Sequence, residues 1–490
     1  MSDLGRQAVR GTMAVLAANT ASRLVAVLGQ LYLRGRVTPE EFGVVAYAVS
    51  LLAICDALAN WGFSQAATHR QERVAETFST FLVLRMAMLF GAFCVLGVAS
   101  LPFRHLLLKR TDPYVLGALA VAVFWEAMCD VGATRLSRSL RFGRLMIADV
   151  ASVAVGTGCA VAAAASGWGL WALVANRVAT PLVRLACLWV LVPEPLPVRF
   201  HAQDARWLLR FGLPLWLGSL ATTWVLKYSH LVVGQLGGQA ALGHYDFAHE
   251  LALLPLAFVT GVLTRVSFPL YARLQGDRAR LSEAFRIVSG TTLRLAGPMA
   301  LGLALAIPDF LAVMRWEQWQ PMTPIFRWFL AYAILRPLMD DAGSLLTAVG
   351  HPKVTGHTLV GEAIALLVLC PLFTVWWRAQ GAAASVGLVV LGGLGTWYAV
   401  YLPRVLDVSY LRLLVPPLVS LAAAGAAGIA VQAWSGLATG LPCGAAKLAA
   451  VAIVYAAGIL VLDRKQTLAD LRALRHHALG NETHAHSDCD

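Results

Sequence analysis

About fourteen apolar stretches of membrane-spanning length fill these 490 residues from end to end, and that feature limits the chain more than any other. A crossing needs roughly 20 mostly apolar residues. The stretches fall near 12–33, 42–63, 81–101, 114–134, 147–165, 168–192, 212–236, 243–271, 293–314, 322–349, 355–377, 382–401, 413–434 and 445–462. With 58% hydrophobic and 13% charged residues, the chain also lies far from an ordinary soluble domain, in which about a quarter are charged. The expected fold class is therefore an all-α polytopic membrane protein. The net charge of +12 lies mostly in loops and forms no basic, aromatic-interleaved patch, so nucleic acid is not an expected partner.

The loop charges set an orientation. With the N-terminus in the cytoplasm, about 23 of the 39 Lys and Arg fall on inner loops, about 8 on outer loops and about 8 inside spans. Clusters around 135–144, 199–210, 273–286 and 464–475 mark the inner side, and both termini are expected there. The first of them, with interleaved Leu136, Leu140 and Phe142, reads as an amphipathic segment on the inner membrane lipids. Arg6 and Arg10 before an apolar run imitate a signal peptide, but the run is long, is interrupted by Arg23 and has no small-residue cleavage site, so it reads as a retained span.

Chemistry on a substrate is not expected. The eight cysteines form no C-x-x-C pair, and the tail with His484, His486 and Cys489 reads as a solvated end, so no metal site is expected. Phosphate-loop, dinucleotide and nucleophile-elbow motifs are absent, and His249-Glu250 lacks the second histidine of a zinc protease. The chain reads as a transporter rather than an enzyme, without a bound cofactor. It would run on a gradient, on the membrane potential or downhill with its substrate, with H⁺ or Na⁺ as the candidate coupling ions.

Charges inside spans are the candidate site, because one at the bilayer centre costs at least ~2.5 kcal/mol and tends to mark a pathway or a partner. Arg23 sits near the middle of the first span, Lys227 near the middle of the seventh and Arg265 in the inner half of the eighth. They are the candidates for an anionic cargo; the alternative is that each pairs with a structural acid. Asp56 in the second span is the expected counter-ion of Arg23. Asp246 and Glu250, four apart at the outer start of the eighth, share a helical face and could form an outer gate or bind a proton or Na⁺, or stand as solvated residues near the interface. His230 could titrate at physiological pH in such a gating or coupling role, although a hydrogen-bonded histidine within the bundle is the commoner case. Arg336 and Asp340 read as a structural pair, and Glu126 and Asp130 as structural acids. Arg85 reads as snorkelling to the interface and Arg184 as an anchor there, while Arg177 stays open between packing and function.

A shift of 200 residues sets Val25 on Val225, Leu31 on Leu231, Gly43 on Gly243, Ala48 on Ala248 and Leu51 on Leu251 without a gap. That is where a six-plus-six repeat would put them. The resulting organisation is a first lobe over 1–195, a second over 196–410, two further helices over 411–465 and a cytoplasmic tail over 466–490.

Four stretches then carry a resemblance. Val37-Thr-Pro-Glu-Glu-Phe-Gly-Val-Val-Ala46, Phe211-Gly-Leu-Pro-Leu215, Gly234-Gln-Leu-Gly-Gly-Gln-Ala-Ala-Leu-Gly-His-Tyr245 and Ser267-Phe-Pro-Leu-Tyr-Ala-Arg-Leu274 resemble, in order and spacing, the polysaccharide transport family of lipid-linked oligosaccharide flippases. That family belongs to a superfamily that includes multidrug exporters. The resemblance implies two six-helix lobes in a V shape and movement of an undecaprenyl-diphosphate-linked glycan between leaflets of a bacterial cytoplasmic membrane. It also implies membrane lipids as surroundings, and a polysaccharide polymerase and export proteins as candidate partners. Arg23, Lys227 and Arg265 would then meet the diphosphate, Arg265 at a position resembling one that related lipid flippases use. A multidrug-type exporter and a non-transporting scaffold for glycan assembly are the alternatives.

Overall fold

A computed structural model of the chain describes residues 21–100, 112–192, 198–434 and 439–463, apart from the side chains of 99, 100, 260–262 and 264–266. The described residues form helices and no strand. Hydrocarbon offers a backbone no hydrogen bonds, and a helix satisfies its own. In chain order the helices are α1 (21–36), α2 (Pro39–Ala59), α3 (Phe63–His69), α4 (Val74–Ser100), α5 (Pro113–Arg138), α6 (Phe142–Ala165), α7 (Leu170–Leu191) and α8 (Ala202–Gly237). There follow α9 (Gln239–Ala252), α10 (Leu254–Leu274), α11 (Arg278–Val313), α12 (Met322–Ala348), α13 (Pro352–Thr396), α14 (Leu402–Val405), α15 (Tyr410–Trp434) and α16 (Leu441–Leu462).

Among the described residues, nine helical segments are long and apolar enough to cross a membrane. The expected spans at 212–236, 243–271 and 322–349 fall on α8, on α9 with α10, and on α12. Expected spans eleven and twelve share α13, which breaks at Trp377 and Arg378, the latter at φ 52°. A Cβ on Gly381 would overlap the carbonyl oxygen of Phe373, so the chain doubles back there and needs a glycine.

Packing divides the chain into two units, Met1–Asp246 with Leu359–Ala382, and Phe247–Thr358 with Ala383–Asp490. This division follows contacts, whereas the 195/196 boundary read above follows the repeat. The two differ because α8 packs on α2 within the first unit.

The motif stretches have local physical reasons. Thr38 caps α2 and Glu41 returns the bond, with Thr38 N–H to Glu41 Oε2 at 2.9 Å, while Pro39 occupies the first helical turn. The other oxygen of Glu41 accepts the Leu170 N–H at 2.9 Å, so one carboxylate serves the N-termini of α2 and α7. Four residues after Pro39, a Cβ on Gly43 would overlap the carbonyl oxygen of Gln239; a Cβ on Gly243 would overlap that of Pro39. Pro39 and Gln239 are themselves 200 apart, so the contact is reciprocal in the way of a two-fold-related pair. In the next motif, Gly212 lets α8 reach the carbonyl of Trp61, and Trp216 stacks on Trp61 at 4.7 Å and donates to Ala57 at 3.0 Å. Trp216 therefore serves packing.

Candidate functional site

In the first unit, Arg23 is exposed on α1 and Lys227 is half-buried on α8. Neither side chain makes an ion pair or hydrogen bond among the described residues. Asp56 is not the counter-ion of Arg23. Its Oδ1 accepts from Arg85 Nη2 at 2.6 Å, and the same nitrogen lies 3.5 Å from Asp130 Oδ2. Arg85 is 1% exposed, so it does not snorkel. Its position on α4 turns it inward toward α2 and α5, where two carboxylates compensate its charge; extension to an interface would leave both acids without that cation.

A second polar group gathers at the α8–α9 corner. His230 is fully buried, with Nε2 3.3 Å from Asp246 Oδ1 and the Tyr245 ring edge-on at 5.1 Å. Lys227 and Arg34 lie close enough to act on the charge of Asp246. Arg34 is 1% exposed, with its guanidinium 4.9 Å above the Phe42 ring, and Gln235 donates to the Tyr47 hydroxyl. The fold thus unites Lys227, His230 and Asp246. Glu250 is exposed one turn further along α9. Arg34 was not anticipated, because a basic residue ending an apolar stretch ordinarily reads as an interfacial anchor.

Two adjoining cavities open in the same unit. One of about 290 Å³ is lined by Glu126, Asp149, Ser152, Asn176, Arg177 and Arg184, among others, and one of about 180 Å³ by Asp56, Glu126, Arg177 and apolar neighbours. Arg184 Nε donates to Asp149 Oδ1 at 2.8 Å, which ties α7 to α6.

The second unit carries its charges differently. Arg336 and Asp340 form the expected pair at 3.0 Å. Asp341, 2% exposed, accepts from the hydroxyls of Tyr271 at 3.0 Å and Ser289 at 2.5 Å, which gives the Tyr271 of the fourth motif stretch its role. Lys447 and Asp309, both fully buried, meet at 2.7 Å, and Asp309 also accepts the Gly440 N–H at 3.1 Å. Arg294 pairs with Asp463 at 2.5 Å. A cavity of about 510 Å³ opens beside Glu283, Arg286, Asp407 and Arg412, where Arg278 holds Asp407 at 2.8 Å. The Arg265 side chain lies outside the described residues, as do His484, His486 and Cys489. Among the described residues no group of His, Cys, Asp and Glu is arranged to hold a metal ion.

A family model described as polysaccharide biosynthesis protein matches residues 36–324. The chain is 27% identical over 363 residues to the succinoglycan biosynthesis transport protein ExoT of Rhizobium meliloti (strain 1021), covering 73% of this chain and 69% of that one. It is 22% identical over 385 residues to the lipopolysaccharide biosynthesis protein WzxC of Escherichia coli (strain K12), covering 76% of each. Among solved structures, the lipid II flippase MurJ in an inward closed conformation matches with a TM-score of 0.71 at 12% identity, over 92% of this chain and 99% of that one. An inward-facing multidrug resistance MATE family transporter of the MOP superfamily matches at 0.58 and 15% identity, over 76% and 92%. The fold is the all-α polytopic fold of those transporters.

Proposed function

The chain belongs to the polysaccharide biosynthesis protein family, and on that premise we propose that it translocates a lipid-linked oligosaccharide across the membrane it spans. One observation carries the reading: likeness to proteins named for transport in, or biosynthesis of, surface polysaccharides runs over about three quarters of the chain rather than one motif. In this reading the cargo is a polyprenyl-diphosphate glycan, taken from the inner to the outer leaflet of a bacterial cytoplasmic membrane by alternating access, with both termini cytoplasmic. No bond in the cargo is made or broken.

The diphosphate is the difficult part of such a cargo. Bare in hydrocarbon it costs many kcal/mol, while Arg and Lys can replace its hydration with charge-assisted hydrogen bonds and the lipid tail stays in the bilayer. We assign that role to Arg23 and Lys227, with Arg265 as a third candidate. Support for the first two is that both lie within expected spans and neither makes an ion pair or hydrogen bond with an acid among the described residues. Asp246 and His230 beside Lys227 would hold the empty site in charge balance. An inside-negative potential favours outward movement of the anion by ~2.3 kcal/mol per charge per 100 mV. Cationic ligands that stay with the protein preserve that driving force, and whether H⁺ or Na⁺ moves in exchange is a separate, testable property.

Purified protein in vesicles containing the glycan-lipid provides the test, with arrival at the far leaflet read by an impermeant glycan label. The wild-type chain is expected to translocate the lipid, and Arg23→Ala with Lys227→Ala to slow it at least about tenfold, the effect of losing one charged hydrogen bond. An inactive wild-type chain defeats the function; full activity in the double variant defeats the assigned residues alone.

A further inference from the structure

Glu126 and Arg177 occupy positions that packing does not explain. Glu126 lies about 20 Å along α5 and Arg177 about 10 Å along α7, and both helices are long and apolar enough to cross a membrane. Both side chains are exposed. Neither makes an ion pair or hydrogen bond among the described residues, although the neighbouring charges Arg85, Asp56, Asp130, Arg184 and Asp149 are all paired. A bare carboxylate or guanidinium facing hydrocarbon at that depth is costly, so such residues ordinarily face water or a polar ligand.

The cavities agree with that. Glu126 and Arg177 line both of them, so they form the shared wall between a polar chamber of about 290 Å³ and a more apolar one of about 180 Å³. Either chamber is many times the space one water needs. Asn176, Ser152 and Thr180 add amide and hydroxyl groups to the larger, and Val49, Leu52 and Leu119 line the smaller. α6 and α7 approach closely beside this lining, where a Cβ on Gly156 would overlap the hydroxyl of Thr180.

We propose that this cleft binds a sugar ring of the glycan headgroup beyond the one attached to the diphosphate, at a subsite separate from the diphosphate ligands. The inference rests on the translocation reading above. A carboxylate acceptor, a guanidinium donor and an amide side by side match the alternating donors and acceptors of sugar hydroxyls, while the apolar chamber suits the C–H face of a ring. The charge balance selects against simpler ligands. Asp56, Asp149 and Arg184 are neutralised in ion pairs and Glu126 offsets Arg177, so the lining offers little net charge to an anion or a metal cation, whereas an uncharged polyol needs none. Glu126 and Arg177 are thus specificity residues for the glycan.

Two measurements test this. In vesicles, the chain is offered the complete glycan-lipid and the same polyprenyl diphosphate bearing one sugar. Glu126→Gln and Arg177→Gln are expected to slow the complete cargo about tenfold and the one-sugar cargo severalfold less, consistent with loss of hydrogen bonds to charged groups. Equal effects on both cargoes, or on neither, overturn the sugar site while leaving translocation standing; a wild-type chain that moves neither cargo overturns translocation. In the second measurement, Glu126→Cys and Arg177→Cys are treated with an impermeant maleimide, with the wild-type chain as control for its native cysteines. Labelling that the complete glycan-lipid blocks and the one-sugar lipid does not is the expected result. Absent labelling, or protection by Na⁺ or by the one-sugar lipid, overturns the proposal.

Discussion

Arg85 illustrates how one residue reads differently once its neighbours are known. About a turn from the end of an apolar stretch, an arginine can extend to the interface, and nothing local distinguishes that from burial. The structure buries it against Asp56 and Asp130. Removing one partner of a buried pair leaves the other charge uncompensated at about 3–5 kcal/mol, far more than the pair contributes relative to apolar isosteres. Arg85→Ala is therefore expected to lower the thermal unfolding temperature in detergent clearly, and Arg85→Met with Asp56→Asn and Asp130→Asn to recover most of the loss. If Arg85→Ala unfolded at the wild-type temperature, the pairing described here would be wrong. The unanticipated ion pairs share one feature: Lys447, Asp309 and Arg294 each lie inside an expected span, and the rule that such charges seek partners applied to them too. Which charge would meet which was not legible, because helical spacing identifies a face but not the helix across from it.

At the scale of elements, the first motif stretch is almost wholly accounted for by local chemistry. Thr38, Pro39 and Glu41 start α2, and Gly43 lets its first turns meet those of α9. The start was legible from the spacing of Thr, Pro and Glu. The need for glycine was only half legible: the 200-residue shift paired Gly43 with Gly243, and the structure adds that each faces the other repeat's backbone. Backbone cannot rotate aside as a side chain can, so Gly43→Ala and Gly243→Ala are each expected to cost about 1–3 kcal/mol through forced displacement. Gly91→Ala on α4 is the control, because nothing lies within 4 Å of its Cβ; it is expected to be neutral or to stabilise by about 0.5–1 kcal/mol through reduced backbone entropy. Chemical unfolding in mild detergent separates the cases, and equal behaviour of all three variants would refute the reciprocal contact as a constraint.

Across the whole chain, ion pairs tie helices together in both units, while Arg23, Glu126, Arg177 and Lys227 of the first unit make no ion pair or hydrogen bond among the described residues. The paired charges are expected to serve stability, and the other four carry the roles proposed above. In the second unit, Lys447→Ala is expected to destabilise through the stranded Asp309 carboxylate by about 3–5 kcal/mol, and Lys447→Met with Asp309→Leu to restore stability. Protease resistance of the membrane-embedded protein reads both, and a double variant no better than the single would show that the pair does more than balance charge.

That the chain is an all-α polytopic membrane protein, and that charges inside its spans seek partners, were legible in the residues, since hydrocarbon leaves a backbone no partner but itself and makes every bare charge expensive. The pairing of Asp56 with Arg85 instead of Arg23, the burial of Arg34 and the shared wall formed by Glu126 and Arg177 came from packing. Ion pairs act over a few ångströms between helices distant in sequence, and a linear pattern of apolar residues carries no record of which of those helices become neighbours.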